Sequence, residues 1–349
     1  ALQAGRIDHI TDLNLNENIL NKIPLCLAAT AKLRHLRLAG NQIPFIAASF
    51  LELFTENVSE LETLDLNNNQ LLELSDLVCR FQKLKRLKVH GNLLKALPPL
   101  DGFSELIELD IGGNTLSEIP ASVYGRHKLA VLDISENPEV KALPNSLADL
   151  AVLQALNISN TSIAALPADF GKLTTLTSLN LSNVGLSAFP AVLYQFSNLT
   201  RLSMGGLALG EVPEKLNTLQ ELQYLDLSHN GIKLLPESLL DLVNLKFLIL
   251  ANNQLQNIPL DISKLDQLVE LSLENNRLTD LTPGVGKLDQ LRVLNISYNH
   301  ISSFPATIGY LEKLERSGQF YFVKNSLSSP LPDMVAQGTS KLFEYLRSL

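Results

Sequence analysis

One pattern recurs along nearly the whole 349-residue chain: Leu-x-x-Leu-x-Leu-x-x-Asn-x-Leu, numbered here as positions 1 to 11. Its first position returns every 22 to 28 residues, and thirteen regular repeats precede a degenerate fourteenth that begins near Ser317. A period of this length means that each repeat is a small structural unit that buries its apolar side only against its neighbours. The thirteen regular repeats begin at Ile10, Leu33, Leu61, Leu84, Leu106, Leu129, Leu153, Leu176, Leu199, Leu222, Leu245, Leu268 and Leu291.

The spacing within a repeat predicts its local structure. Positions 4 and 6 are apolar and flank a polar residue, as Leu64 and Leu66 flank Asp65. A period of two predicts a short strand with one buried face. The second half of each repeat, such as 236–244, is wider than a strand and predicts a short helix or an irregular turn. Stacked repeats therefore predict an α/β solenoid: a horseshoe with a parallel sheet on its concave face and short helices or turns on its convex face.

The pattern resembles a leucine-rich repeat array, and the resemblance covers essentially the whole chain. It implies that the asparagine at position 9 turns inward and hydrogen-bonds to backbone groups of adjacent repeats. Thr161, Val184 and Leu207 replace this asparagine in repeats seven to nine. The two apolar replacements cannot supply that hydrogen bond, so we expect weaker bonding between repeats there.

The sequence predicts an array of about 14 repeats over residues 1–329 and a helical cap over 330–349, because apolar residues near the end recur at helical spacing. The segment 325–349 also resembles the stretch P-P-x-x-[IV]-x-x-G-x-x-x-[IL]-x-x-Y-L-R. That stretch ends the repeats of intracellular Roco and Ras-group leucine-rich proteins, and Leu331 stands here in place of its first proline. The resemblance implies signalling partners such as small GTPases, kinases or phosphatases.

Two repeats are longer than their neighbours. The second carries about five extra residues within 46–58, and their apolar content predicts a longer helix rather than a protruding loop. The sixth has one extra residue next to Pro138, which directly follows Asn137. We interpret that residue as an ordinary insertion.

Composition argues against several classes of function. The net charge of −8 is unlike that of a general nucleic-acid binder, and no apolar run approaches the 18 residues of a membrane span. Cys26 and Cys79 do not make a disulfide framework, which favours an intracellular, cytoplasmic protein. The sequence has no phosphate-binding loop, no catalytic motif and no metal-ligand spacing. We therefore expect a non-catalytic protein with no cofactor and no metal.

The resemblance implies that function lies on the outward positions of the strands. Side chains there project from a preformed sheet, so binding requires little additional ordering of the protein. Aromatic residues on such a surface are typical of interaction sites. Basic residues there are suited to an acidic partner segment, although a solvated mixed-charge surface explains them equally well. The apolar candidates for partner binding are Tyr224, Phe247, Ile249, Val293, Tyr298 and Tyr321. The basic candidates are His35, Arg37, Arg86, Lys88 and His90.

We therefore predict a scaffold that binds protein partners on its concave face in signalling, without nucleic acid or membrane. Three alternatives stay open. The chain is the sensor or dimerisation module of a larger Roco-like GTPase or kinase, a pathogen effector that acts on host proteins, or a receptor ectodomain. The aromatic residues are equally compatible with self-association.

Overall fold

The computed structural model describes residues 8–349. The chain divides into two compact units, the first ending at Leu176 and the second running from Thr177 to Leu349. In both units a three-residue strand is followed by a return segment with a short helix or turn, as the sequence predicts. The α/β solenoid prediction is confirmed.

The first compact unit contains seven strands, and each pairs in parallel with the next along the chain. The register joins equivalent positions of successive repeats, as in Leu36 with Leu64 and Leu64 with Leu87. The strands are β1 (Asp12–Asn14), β2 (His35–Arg37), β3 (Thr63–Asp65), β4 (Arg86–Lys88), β5 (Glu108–Asp110), β6 (Val131–Asp133) and β7 (Ala155–Asn157).

The second compact unit has the same organisation, with seven parallel strands in chain order. Leu225 pairs with Leu248, and Leu248 pairs with Leu271. The strands are β8 (Ser178–Asn180), β9 (Arg201–Ser203), β10 (Tyr224–Asp226), β11 (Phe247–Ile249), β12 (Glu270–Ser272), β13 (Val293–Asn295) and β14 (Gln319–Tyr321).

Short helices occupy the return segments. The extra residues of the second repeat form α1 (Ala48–Asn57), which buries Phe50, Leu51 and Phe54, so the predicted longer helix is confirmed. Helix α2 (Ala121–Tyr124) lies in the fifth repeat. Most other return segments hold a 3-10 helix: Leu25–Ala29, Asp76–Arg80, Asn145–Asp149, Phe170–Lys172, Ala191–Gln195, Glu214–Thr218, Glu237–Asp241, Ile262–Lys264, Pro283–Lys287 and Ala306–Tyr310.

Three helices follow one another near the end of the second unit: α3 (Glu312–Ser317), α4 (Leu331–Ala336) and α5 (Thr339–Arg347). Helix α5 buries Leu342, Phe343 and Leu346. Its Arg347 donates hydrogen bonds to the Gly309 carbonyl at 2.7 Å and to the Glu315 carboxylate at 2.8 Å. Helices thus occupy the segment predicted as a cap, while the division of the chain at residue 329 stays a prediction.

The inward asparagines join successive repeats. The amide nitrogen of Asn137 lies 3.0 Å from the carbonyls of Ile134 and Ser135 in its own repeat and 3.1 Å from that of Ile111 in the preceding one. Its amide oxygen accepts from the Leu116 N–H at 3.0 Å. The side chain is completely buried. One side chain therefore pairs with four backbone groups. The Ser135 carbonyl also accepts from the Gly113 N–H at 2.9 Å, whereas the Ile111 and Ile134 carbonyls and the Leu116 N–H depend on this amide.

The three replacements behave according to their chemistry. The Thr161 hydroxyl donates to the Ile158 carbonyl at 2.7 Å, which reproduces one of the asparagine bonds. Val184 and Leu207 are buried and have no polar group to contribute. The Leu207 N–H instead donates to the amide oxygen of Asn230 in the next repeat at 3.0 Å.

We expect Asn137→Ala to lower the free energy of unfolding by about 2–4 kcal/mol, because it leaves several buried backbone groups unpaired. Asn18 is the matched control, since it holds the same repeat position but is exposed. Asn18→Ala is expected to cost less than about 1 kcal/mol. Urea unfolding of both variants measures the difference, and equal costs would contradict the role given to the inward amide.

Candidate protein-binding surfaces

Each compact unit presents one face of its sheet to solvent. The central residue is buried in every strand from β2 to β14. Its two neighbours point to the opposite side and in most strands are less buried, as Tyr224 and Asp226 are around Leu225. We call these surfaces the first-unit face (outward side chains of β1–β7) and the second-unit face (outward side chains of β8–β14). The apolar candidates lie on the second-unit face or directly after its strands, and the basic candidates hold the same places in the first unit.

His35, the first of the basic candidates, already contacts its neighbours in the sheet. Its Nδ1 lies 3.0 Å from the Thr63 hydroxyl, and its Nε2 lies 3.9 Å from the Asp12 carboxylate. Arg37 lies in register between Asn14 and Asp65. Both residues therefore stand next to a carboxylate-bearing strand.

Arg86 and Lys88 share one carboxylate. The Glu108 oxygens lie 3.3 Å from Arg86 Nε and 2.7 Å from Lys88 Nζ. Sequence reasoning missed Glu108, although its place at the start of β5, in register with Arg86, was a usable signal. These ion pairs are partly exposed, so each is worth little in stability. They do offset the positive charge that a partner would meet.

His90 continues this pattern, with Nδ1 3.3 Å from the Asp110 carboxylate. Asp110 lies in register with Asp133, and burial, followed by the Asp133 charge, raises the pKa of Asp110. Asp133 itself accepts hydrogen bonds from the Ser135 N–H at 2.9 Å and from Asn157 at 2.7 Å. The first-unit face is therefore a mixed-charge network rather than a purely basic patch.

On the second-unit face, the structure brings Tyr224 and Phe247 together. Their ring centroids are 6.1 Å apart on adjacent strands, and the Arg201 guanidinium lies 4.2 Å above the Tyr224 ring. Burial raises the pKa of Tyr224, and the Asp226 carboxylate raises it further. Arg201 was not among the sequence candidates, although it holds the equivalent position one strand earlier. The three side chains form a row across β9, β10 and β11.

The other apolar candidates are spread beyond this row. Val293 is in register two strands from Phe247, about 10 Å away, with Glu270 between them. Ile249 lies in the neighbouring row. Tyr321 is in that same row on β14 and is 47% exposed. The apolar candidates therefore make an extended surface, interrupted by carboxylates, rather than one continuous patch.

Tyr298 follows β13 and adopts a backbone conformation that is unusual for a tyrosine. All fourteen residues at position 8 of the repeat have a left-handed conformation, with φ between 53° and 73°. Nine of them are asparagine or glycine, the residues that tolerate this conformation best. Tyr298 adopts φ 57° and leaves its bulky side chain 50% exposed. A tyrosine in this conformation costs stability, and half of its side chain is left in solvent.

Residues 8–349 contain neither a metal-binding cluster nor a membrane-spanning helix. They contain no cluster of three or more His, Cys, Asp or Glu side chains placed to hold a metal ion. Within the same range, no helix has the length and apolar character needed to cross a membrane.

Known proteins share this repeat. The family of leucine-rich repeats matches residues 266–316, 60–81 and 221–242. The chain is a leucine-rich repeat protein. Such repeats generally form protein–protein interaction modules. The Roco-type assignment of the end segment is not part of this match and stays a prediction.

Among curated proteins, the probable serine/threonine-protein kinase pats1 of Dictyostelium discoideum is 33% identical over 159 residues, 44% of this chain but only 5% of the relative. Among solved structures, a leucine-rich repeat protein of Leptospira interrogans is 27% identical with a TM-score of 0.79, covering 93% of this chain and 81% of that one. The ectodomain of the Arabidopsis thaliana receptor kinase GASSHO1/SCHENGEN3, in complex with Casparian strip integrity factor 2, is 29% identical with a TM-score of 0.70. That match covers 88% of this chain and 38% of the receptor chain.

We expect Asp133→Asn to lower the pKa of Asp110, because it removes a neighbouring negative charge. A raised pKa in the fold means that the ionised Asp110 opposes folding. Its penalty develops as the pH rises from the ordinary 3.8 through the folded pKa, and it is complete above that pKa. Carboxyl-carbon NMR titration measures the pKa, with Asp12→Asn as a control that should leave it unchanged. A pKa of Asp110 that does not fall in Asp133→Asn would contradict this electrostatic account.

We expect Tyr298→Asn to raise the free energy of unfolding by about 1 kcal/mol, because asparagine adopts the left-handed conformation more easily. The control is Tyr321→Asn, which removes a similarly exposed tyrosine from extended strand backbone and should give no gain. The midpoint of thermal unfolding, measured for both variants, tests for this strain. A lower midpoint for Tyr298→Asn than for the wild type would disprove it.

Proposed function

We propose that this chain is a non-catalytic module that binds an extended segment of a partner protein on the second-unit face. The observation that carries the proposal is the set of aromatic side chains on that face. Tyr224 and Phe247 are half-buried neighbours, and Tyr298 and Tyr321 are exposed. Aromatic side chains supply large apolar contact at a low entropic cost and are enriched at binding hot spots.

The backbone of Tyr298 supports this proposal independently. Most repeats use asparagine or glycine at position 8, so an exposed tyrosine in the left-handed conformation has a stability cost. A contact with a partner accounts for a side chain that brings the free chain little benefit.

The charges around the aromatic residues favour a partner segment with both apolar and basic side chains. Asp226, Glu270 and Glu274 project from the same face as Phe247. Arg201 lies over the Tyr224 ring. Asp226 accepts a hydrogen bond from the Ser228 N–H and Glu274 accepts one from the Asn295 amide, both at 2.9 Å, so part of their hydrogen-bonding capacity is already used within the sheet. Lysine or arginine beside an apolar anchor therefore complements this surface in charge and in shape.

The first-unit face is a secondary candidate. A partner carboxylate that approaches Arg86 or Lys88 has to displace Glu108, which lies within 3.3 Å of both. His90 is likewise next to Asp110. Contacts by His35, Arg37, Arg86, Lys88 and His90 would add selectivity and rate of association more than affinity.

The resemblance to Roco and Ras-group arrays supports a partner in cytoplasmic signalling. The proposed partner is a small GTPase, a kinase or a phosphatase. The match to a probable kinase supports this direction. Receptor-like peptide binding has support of a different kind, since one similar solved structure is a receptor in complex with a named peptide factor.

Quantitative capture from a lysate of the source cells tests the proposal. The wild type is compared with a Tyr224→Ala, Phe247→Ala, Tyr298→Ala variant, after both are shown to fold. A Phe45→Ala, Tyr310→Ala variant is the matched control, because both residues are exposed aromatics outside the second-unit face. We expect a partner that the wild type and the control retain and the triple variant loses at least tenfold. Equal capture by all three proteins would reject the second-unit face.

A second candidate function is the sensor or dimerisation module of a longer GTPase or kinase. It is favoured by the curated relative, in which the matched repeats are only 5% of the protein. The mass of the intact protein in source cells tests it, and a mass equal to that of these 349 residues would exclude it.

A further inference from the structure

Position 3 of the repeats forms one continuous row across the second-unit face. The register places Tyr224, Phe247, Glu270 and Val293 side by side on β10 to β13. All four residues are partly exposed. Neighbouring strands are about 4.8 Å apart, so the backbone of Glu270 lies about that far from Phe247 on one side and from Val293 on the other. The row is therefore apolar on both sides of a single carboxylate.

Glu270 differs from the other carboxylates of this face in its bonding. Asp226 and Glu274 each accept a hydrogen bond within the sheet. Across residues 8–349, no ion pair and no side-chain hydrogen bond involves the Glu270 carboxylate. Glu270 is also partly buried between apolar neighbours, which screen its charge less than water does. It therefore attracts a partner's cation more strongly than a fully exposed carboxylate would.

The strand spacing determines which side chains of a partner meet this row. In an extended segment that runs along the row, side chains on one face recur every two residues, or about 6.7 Å. When one of them faces Glu270, the next ones on either side fall between two neighbouring strands. On one side they meet the Tyr224 and Phe247 rings, whose centroids are 6.1 Å apart. On the other side they meet Val293 and the exposed Tyr321 of β14. Both flanking positions therefore face apolar surface.

We propose that Glu270 determines the specificity of the second-unit face by selecting partner segments with the pattern apolar-x-Lys/Arg-x-apolar. The cation pairs with the Glu270 carboxylate, and the apolar side chains contact Phe247 on one side and Val293 on the other. The pattern is the same in both chain directions, so it holds for either orientation of the segment. The proposal rests on the function given to the second-unit face and adds the chemistry and spacing of the partner's side chains.

Three fluorophore-labelled peptides test the pattern against the full chain by fluorescence anisotropy. The matched probe is Gly-Ser-Phe-Ser-Arg-Ser-Phe-Ser-Gly. The spacing probe has the same composition with both phenylalanines next to the arginine, and the charge probe has glutamate in place of the arginine. We expect the matched probe to bind at least about tenfold more tightly than either of the others. Equal binding of all three, or no binding of the matched probe at about 1 mM, would overturn the proposal.

Variants of β12 test the role of Glu270 itself. Glu270→Gln should weaken binding of the matched probe at least about fivefold, and Glu270→Lys should reverse the preference in favour of the charge probe. Glu274→Gln is the matched control on the same face. It also removes one negative charge, but it lies four residues further along the chain, about 13 Å from the row and beyond the screening length. Its affinity should change less than about twofold. Equal effects of Glu270→Gln and Glu274→Gln would reject Glu270 as the determinant.

Capture of the natural partner separates this proposal from the function on which it rests. We expect Glu270→Gln to lose the partner that Glu274→Gln retains. If capture depends on Tyr224, Phe247 and Tyr298 but is unchanged in Glu270→Gln, the second-unit face binds the partner and the role given to Glu270 is wrong. If capture is independent of those aromatic residues, the function given to the face is wrong. Because Glu270 is partly exposed and makes no side-chain bond among the described residues, its variants should fold, and circular dichroism checks this.

Discussion

The hydrogen bonding of the inward asparagine is the interaction on which the rest of the structure depends. Each strand is only three residues long and could not persist alone. The amide of Asn137 forms hydrogen bonds with backbone groups of its own repeat and of the preceding one, inside an apolar core. This bonding recurs at most repeats and, together with the pairing of the strands, keeps equivalent positions in register over each compact unit. β8 and β9 keep the same register through strand pairing, although Val184 and Leu207 replace the asparagine there. The outward side chains therefore stand at fixed spacings that no single repeat could set.

Fixed spacing explains why the outward side chains of the two faces pair differently although their backbones are alike. On the first-unit face, opposite charges fall on adjacent strands and satisfy one another, as Glu108 does for Arg86 and Lys88. On the second-unit face, Tyr224 and Phe247 are adjacent, and both stay partly exposed to solvent although the Arg201 guanidinium lies over the Tyr224 ring. Repetition therefore supplies the backbone, and the residues at positions 3 and 5 decide how far the outward side chains of a face pair with one another.

The repeat period predicts the strands and the buried leucines, because these follow from spacing alone. The longer helix α1 follows from the extra residues of the second repeat and their apolar content. The ion pairs of Glu108 were missed, since they depend on how far long side chains reach across the register. The left-handed position 8 was readable from its asparagines and glycines, and Tyr298 is informative because it departs from them.

Hydroxyl-radical footprinting of the full chain, with and without its captured partner, tests the central claim most directly, because it reports the solvent accessibility of individual aromatic side chains. The account predicts that oxidation of Tyr224, Phe247 and Tyr298 falls severalfold when the partner binds. Oxidation of Phe45 and Tyr310, which are exposed elsewhere, should stay the same. Protection confined to Phe45 or Tyr310, with Tyr298 still oxidised at its free rate, would contradict the assignment of binding to the second-unit face.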